Sequence, residues 1–523
     1  MQTEFRVIGP PGCGKTTFLS REVTKAVERY GSDKVLVASL TKTAAQEVVN
    51  RGTPINPKMI GTLHAHAYRA LNYPKLAETR EGVESWNRTS PSYRLTVPGG
   101  SASLDSAVDG FAPMAKPGDR YLSAVNLARA RRVPIETLTA QEQRFAAAWE
   151  LWKSSEGLFD FTDLIDIAGR QIFQAPGKPK VIFVDEAQDH DRLELELVRK
   201  WGGADRGVER LDPEAFFDPP LPTDQKLILS QSYRVPKAVH AKATEWIEKT
   251  PDRDPVAYQP TDQPGEVRKT LLTLRDSPAL LRDARRYTDE GKSVMFLTTC
   301  AYMLTPLVNE LRSQGMPFHN PYRHRSDWNP LNPQTRGVST LDKFKAYIAP
   351  LLDTEPYVNP WSVAEVQLWT QALARVVKRG QRTVLDGLDP FSGFTTEMLE
   401  EMFVESSDPF NAYDIEGGDP KWFQKHMKAG TNVDYAVKVM DKHGAAAISE
   451  TPKVSLGTIH SVKGGEADVV YLFPDMSRVG FQGVHTPRGK AATLRQFYVG
   501  MTRAKSVLVL GGASTQFAVQ LGR

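Results

Sequence analysis

The chain has 523 residues, of which 40% are hydrophobic and 24% charged, with a formal net charge of +4. That is the composition of a soluble globular protein of several domains. No apolar run approaches a membrane span, and Met1-Gln2-Thr3-Glu4 lacks signal-peptide character. Cys13 and Cys300 are the only cysteines, too few for a metal site of their own. Cys13 lies in a glycine-rich loop, so no structural disulfide is expected and a cytoplasmic location fits. The small positive charge favours nucleic acid only weakly, because basic patches matter more than totals.

Phe5-Arg6-Val7-Ile8 predicts a short strand. It runs into Gly9-Pro10-Pro11-Gly12-Cys13-Gly14-Lys15-Thr16-Thr17, which fits the phosphate-binding pattern G-x-x-x-x-G-K-[ST], and then into the helix-compatible stretch Phe18–Val23. Strand, glycine-rich loop and helix form the context that gives this pattern meaning. Glycines let backbone N–H groups curl round phosphate oxygens, and a helix N-terminus adds partial positive charge. Lys15 is expected to reach the β- and γ-phosphates, and the Thr16 hydroxyl to hold Mg²⁺.

Lys34–Ser39 reads as a second strand and Thr43–Arg51 as a helix. From Tyr73 to about Gln143 the composition changes. Gly99-Gly100, Pro113, Pro117 and Gly118 interrupt it, and Ala124–Arg132 is a basic helical segment, so an inserted subdomain is expected. Phe145–Trp152 and Phe161–Ile172 return as helices. Val181-Ile182-Phe183-Val184 predicts a strand buried on both faces of a parallel sheet. It ends in Asp185-Glu186-Ala187-Gln188-Asp189, where α/β sheets place ligands. Asp185 is expected to hold Mg²⁺, Glu186 to orient or deprotonate the attacking water, and Gln188 to lie at the nucleotide.

Lys226–Leu229 is a strand leading into Ser230-Gln231-Ser232-Tyr233-Arg234. Val294–Leu297 is another, followed by a helix over Tyr302–Gln314. Residues from about Ser339 to Ala447 are mainly helical, with Pro and Gly breaks, and read as a second insertion. Strands return at Val454–Leu456, Val469–Leu472 and Val507–Leu510. Two α/β cores with parallel sheets, each carrying a helical insert, are the simplest account. The expected divisions are 1–72 with 144–230, an insert at 73–143, 231–338 with 448–523, and an insert at 339–447.

The ordered motif set resembles the UvrD/Rep-type branch of superfamily 1 DNA helicases. Ser39-Leu40-Thr41-Lys42-Thr43-Ala44-Ala45 and Gly61-Thr62-Leu63-His64-Ala65-His66-Ala67 are similar to the family's first two DNA-contacting segments. Gln231-Ser232-Tyr233-Arg234 resembles the motif that opens its second motor domain. Gly457–Glu466 and Phe497–Ala504 close the series. The resemblance implies two RecA-like P-loop domains with ATP and Mg²⁺ in the cleft between them. It also implies single-stranded DNA and duplex junctions as partners, and 3′→5′ movement. By it, Arg234 and Arg503 would reach the γ-phosphate, Tyr233 would stack on the adenine and Glu466 would contact the ribose. Thr41, Lys42, Thr62, His64, Thr458 and His460 would contact the DNA backbone, a kind of contact that positions a strand without reading sequence.

The chain departs from the family pattern in three places. Only four residues precede Phe5, where the family carries a glutamine-containing adenine-recognition helix. Leu40 and Leu63 stand where base-stacking aromatics often occur. Between Asp189 and Gln231 there is no Gly-Asp-x-x-Gln motif and no apolar strand to hold it; the chain runs Trp201-Gly202-Gly203 through Leu211-Asp212-Pro213 instead. In the family that glutamine links γ-phosphate to DNA. Two alternatives therefore stand beside a helicase: a DNA-stimulated ATPase that does not unwind, and a small-molecule kinase. The second leaves the C-terminal motif series unexplained.

Overall fold

A computed structural model describes residues 4–39, 52–98, 116–203, 220–250, 253, 256–321, 328–333, 337–351, 361–404, 419–462 and 464–522. The chain divides into two compact units, Met1–Ser230 and Gln231–Arg523. The expected helix at Thr43–Arg51 and the candidate DNA contacts Thr41 and Lys42 lie outside the described residues.

In the first unit β1 (Arg6–Ile8) leads through the glycine-rich loop into α1 (Lys15–Tyr30). β2 (Val35–Ser39) and β3 (Ile60–Thr62) follow, then α2 (Leu63–Ala70). α3 (Arg80–Thr89), α4 (Pro117–Ala130) and α5 (Ala140–Glu156) precede α6 (Phe161–Gln171), β4 (Val181–Val184), α7 (Arg192–Trp201) and β5 (Lys226–Ile228). The five strands form two separate parallel sheets, ordered β3-β2-β4 and β1-β5. Val23 and Ala26 of α1 join the core that contains Val35–Ala38 of β2 and packs against Val181–Val184 of β4.

This split overturns one expectation. Val181–Val184 is apolar throughout, yet all four residues are only half-buried, whereas β2 is buried over its whole length. The reason is pairing. β2 has a strand on each side, but β4 has a partner on one edge only among the described residues, so its side chains lack a flanking row. β1 and β5 are also short of cover: Phe5, Leu227 and Ile228 are exposed. The segment without a recognisable coupling motif falls, from residue 204 to 219, outside the described residues.

The helices α3–α5 enclose their own core. Phe145, Trp149 and Trp152, spaced along one face of α5, meet Trp86 of α3. The Trp86 ring lies 4.9, 5.3 and 5.8 Å from those of Trp149, Trp152 and Phe145. The packed core of this insert thus includes α5, beyond residue 143. Below it Asp160, fully buried, caps α6 and accepts from Lys153 Nζ at 2.8 Å and Trp149 Nε1 at 3.0 Å. Arg129 of α4 binds both Asp160 and Asp163. A buried carboxylate is tolerable only when paired and hydrogen-bonded, and this arrangement supplies both.

The second unit opens with α8 (Lys237–Ile247), β6 (Glu266–Lys269), α9 (Ser277–Asp289), β7 (Val294–Thr298), α10 (Thr305–Ser313) and β8 (Phe318–His319). After an insert come β11 (Val454–Thr458) and β12 (Ala467–Leu472); a late helix, Pro487–Met501, leads to β13 (Ala504–Leu510). Six parallel strands lie in the order β6-β13-β12-β7-β11-β8. Alternation along β7 builds both faces: Met295 and Leu297 pack with Val239, Ala243 and Phe497, while Val294 and Phe296 pack with Leu280, Ala284 and Leu307. The insert holds α11 (Thr340–Tyr347), α12 (Val363–Trp369), α13 (Gln381–Gly387), α14 (Thr396–Met402), α15 (Pro420–His426) and α16 (Asp434–His443), with β9 (Trp361–Ser362) antiparallel to β10 (Gly393–Phe394). Tyr347, Trp361, Trp369 and Phe423 centre its core. α17 (Arg478–Gly483) then precedes the late helix, α18.

Trp86→Ala should empty the centre of the first insert and cost about 3–5 kcal/mol. Protease cutting within residues 73–158 should become much faster while the second unit resists as before; equal resistance in the variant would contradict this packing.

Candidate functional site

The phosphate loop is shaped by its glycines. A Cβ on Gly9 would lie 2.3 Å from Cys13 Sγ and 3.0 Å from the Leu229 carbonyl oxygen, so no larger residue fits. Gly12 and Gly14 have φ of +78° and +76°, a region that only glycine enters without strain. Gly14 is the N-cap of α1 and brings no capping side chain to it, which suits an anion with its own oxygens. Lys15 Nζ donates to the carbonyl oxygens of Gly9 at 2.8 Å and Pro10 at 3.3 Å, arching back over the loop. Thr16 and Thr17 occupy the first turn beside it. The donor set therefore fits a nucleotide phosphate chain with its cation.

Asp185 follows the last residue of β4, and its amide donates to the Ala38 carbonyl oxygen of β2 at 2.9 Å. That bond fixes the carboxylate at the sheet's C-terminal edge. Glu186 adopts φ +50° and ψ +40°, an uncommon conformation for a residue with a side chain. Its amide donates to Asp185 Oδ1 at 3.1 Å, and its carboxylate accepts from Gln188 Nε2 at 2.5 Å. Gln188 is thus a holder of Glu186.

Four predicted residues converge in the second unit. Ser232, buried, accepts from the amides of Arg234 and Val235 through its hydroxyl oxygen, which turns the chain sharply. The turn leaves the Tyr233 ring 76% exposed and sends Arg234 Nε to Glu466 Oε2 at 2.6 Å. Arg503, buried, donates from Nη1 to the Gly465 carbonyl oxygen at 3.1 Å and from Nε to that of Val499 at 3.1 Å. Glu466, expected at a ribose, here holds an arginine.

The candidate DNA contacts divide into two kinds. Thr62 and Thr458 are buried, and their hydroxyl oxygens accept from the amides of Ala65 and Ser461. Thr62 caps α2 and Thr458 closes the turn to Ser461, roles that a sequence pattern cannot distinguish from a ligand contact. His460 is exposed. His64 is partly exposed, and its Nδ1 lies 3.3 Å from Glu194 Oε1. His190 Nδ1 lies 3.1 Å from the other oxygen of the same carboxylate. The sequence reading missed Glu194 and His190. Their one signal was the capping-box spacing from Asp191 to Glu194, which reads as an ordinary helix start. His66, by contrast, is buried, with Nε2 3.2 Å from the Val37 carbonyl oxygen and Nδ1 2.9 Å from Arg69 Nη2. Burial, and then the Arg69 charge, depress its pKa to about 4 and keep it neutral.

Burial pulls His64 and His190 toward neutrality, but the Glu194 carboxylate outweighs it and holds both above the ordinary 6.5. Glu194 resists its own burial because the two imidazoles hold it well below the usual carboxylate range. Nearby Glu78, which accepts from the Phe161 amide at 2.8 Å, is pushed up to about 7 by burial and then by Asp160. Groups with raised folded values stabilise below their ordinary values, and that stability is lost as pH rises through the folded ones. His64, His190 and Glu78 share this sign, while the Glu194 contribution is lost only in strong acid. The first unit should therefore weaken as pH rises, first from about 4.5 to about 7 as buried Glu78 ionises and further above 6.5 as His64 and His190 lose their protons. Hydrogen exchange in α2, α6 and α7, corrected for intrinsic rates, should quicken over that range and do so less in Glu78→Gln. A flat profile would refute these assignments.

Residues 1–208 match a family model described as an AAA domain, and residues 436–515 match the UvrD-like helicase C-terminal domain. No curated protein matches the sequence. The first match spans the phosphate loop, Asp185 and Glu186; the second spans Glu466 and Arg503. With the two matches at opposite ends of one chain, in the order of the motifs, the protein belongs to the UvrD-like superfamily 1 helicases, a family of ATP-dependent DNA helicases.

Proposed function

We propose that the protein is an ATP-hydrolysing motor on single-stranded DNA, built from two RecA-like domains and moving 3′→5′. The observation that carries this reading is that one chain holds both a nucleotide half-site in its first unit, Lys15, Thr16, Asp185 and Glu186, and a cluster of Arg234, Glu466 and Arg503 in its second. The phosphate-loop residues Gly9–Thr17 bind the phosphates, Thr16 and Asp185 hold Mg²⁺, and Glu186, aimed by Gln188, takes the proton of the attacking water. Bound Mg²⁺ supplies charge neutralisation at the phosphates. Tyr233 offers its exposed ring to the base. Arg234 and Arg503 supply positive charge as charge develops on the γ-phosphate. Thr41, Lys42, His64 and His460 mark the strand path, and the buried Thr62 and Thr458 hold the local turns that carry those two histidines.

A second reading, a DNA-stimulated ATPase with weak or absent unwinding, is favoured by the sequence, which carries no Gly-Asp-x-x-Gln motif between Asp189 and Gln231. Strand separation needs a rigid transmission from nucleotide to DNA, and the motif that provides it in the family has no counterpart here.

Lys15→Ala should abolish hydrolysis and weaken ATP binding, whereas Glu186→Gln should keep binding and lose turnover. Arg503→Ala should lower kcat far more than ATP affinity, because its contact matters most in the transition state. Equal loss of binding and rate would make Arg503 structural. Single-strand affinity should fall steeply with salt and show little sequence preference. Strand displacement should lag well behind ATP hydrolysis; efficient unwinding would rule out the second reading.

A further inference from the structure

The cluster His64–Glu194–His190 joins two segments that the functional reading uses for different ligands. His64, on the strand path, is the second residue of α2, whose N-cap is Thr62. His190 follows the turn Ala187–Asp189, which continues from Glu186. Between them one carboxylate spends one oxygen on each imidazole, and its second oxygen also accepts from the Asp191 amide at 3.1 Å. Glu194 is 4% exposed and His190 2%, so the pair sits where charge interactions are strong, while the 27%-exposed His64 side chain reaches toward the surface. His190 Nε2 is buried with no partner among the described residues, so the imidazole is held from one side only.

We propose that Glu194 is a positioning residue that couples strand engagement at α2 to the placement of Glu186, in the role left open by the missing Gly-Asp-x-x-Gln motif. The proposal rests on the motor reading given above. A strand seated on the N-terminus of α2 displaces or charges His64. Because the same carboxylate holds His190, a change in one hydrogen bond alters the other and shifts the turn that carries Glu186 and Gln188. That turn is already in a sparsely populated backbone conformation, so a small change in its support alters the catalytic geometry. The charged and titratable groups facing the cluster are Asp189 and Asp191 beside His190 and Glu78 beside His64, with Asp160 and Lys153 behind Glu78.

The test uses the full chain and an oligothymidylate as the strand. Basal kcat, KM for ATP, strand affinity and the strand-stimulated rate are measured for wild type, Glu194→Gln and Glu194→Ala. Glu194→Gln keeps the shape of the cluster and removes its buried anion, so it remains folded if the alanine variant does not. Coupling free energies of this kind are worth a factor of roughly 5–150, so stimulation should fall about threefold in Glu194→Gln and about tenfold in Glu194→Ala. Basal kcat should fall less than the strand-stimulated rate and KM for ATP should hold within about twofold, as expected when coupling is lost more than chemistry. Full stimulation in Glu194→Gln would overturn the proposal, as would parallel loss of basal and stimulated rates in both variants. Wild-type protein with no strand-stimulated hydrolysis would overturn the motor reading itself, an outcome visible before any variant is compared.

Discussion

A parallel strand in the interior of a sheet must hydrogen-bond on both edges, because water is not there to take its place. The second unit meets this demand completely. β7 lies between β11 and β12, β12 lies between β7 and β13, and nearly every residue in these strands is buried. The first unit meets it only for β2. β4 and β1, the strands that carry Asp185 and the phosphate loop, each have a strand on one side alone among the described residues. Asp185 and the phosphate loop are thus fixed to different pieces of sheet.

Other contacts compensate. Glu4, next to β1, binds Arg199 of α7 and Arg6, and the Asp185 amide reaches β2. The carboxylates Asp160 and Glu194 serve a similar purpose at greater depth. Asp160 ties the aromatic insert to α6, and Glu194 ties α2 to α7. Charge pairs of this kind are directional, so they fix the relative orientation of helices more sharply than apolar contact, at the expense of sensitivity to pH.

In the second unit the structure shows how one residue type serves two ends. Glu466 holds Arg234, and the neighbouring Gly465 carbonyl holds Arg503. Both arginines are held in fixed orientations by internal partners, so little further side-chain entropy would be lost on meeting a ligand. Orientation by internal partners explains why both are well covered although their proposed partner is a ligand.

The local chemistry was legible in the chain itself. Glycine spacing, a lysine and hydroxyls after it, and a carboxylate pair after an apolar run prescribe their own backbone, because only glycine enters the φ-positive loop and only a strand end presents two carboxylates together. The strands at Val294, Val469 and Val507 were readable for the same reason: four apolar residues in a row need burial on both faces. Tertiary structure alone decided what depends on partners distant in sequence. It left Val181–Val184 half-buried with a strand on one edge only among the described residues, made Thr62 a helix cap and Thr458 the closure of a turn, drew α5 against Trp86, and set His64 against Glu194. Burial and charge pairing are properties of assembled elements, and a residue pattern carries no information about which side chain, more than a hundred positions away, will stand beside it.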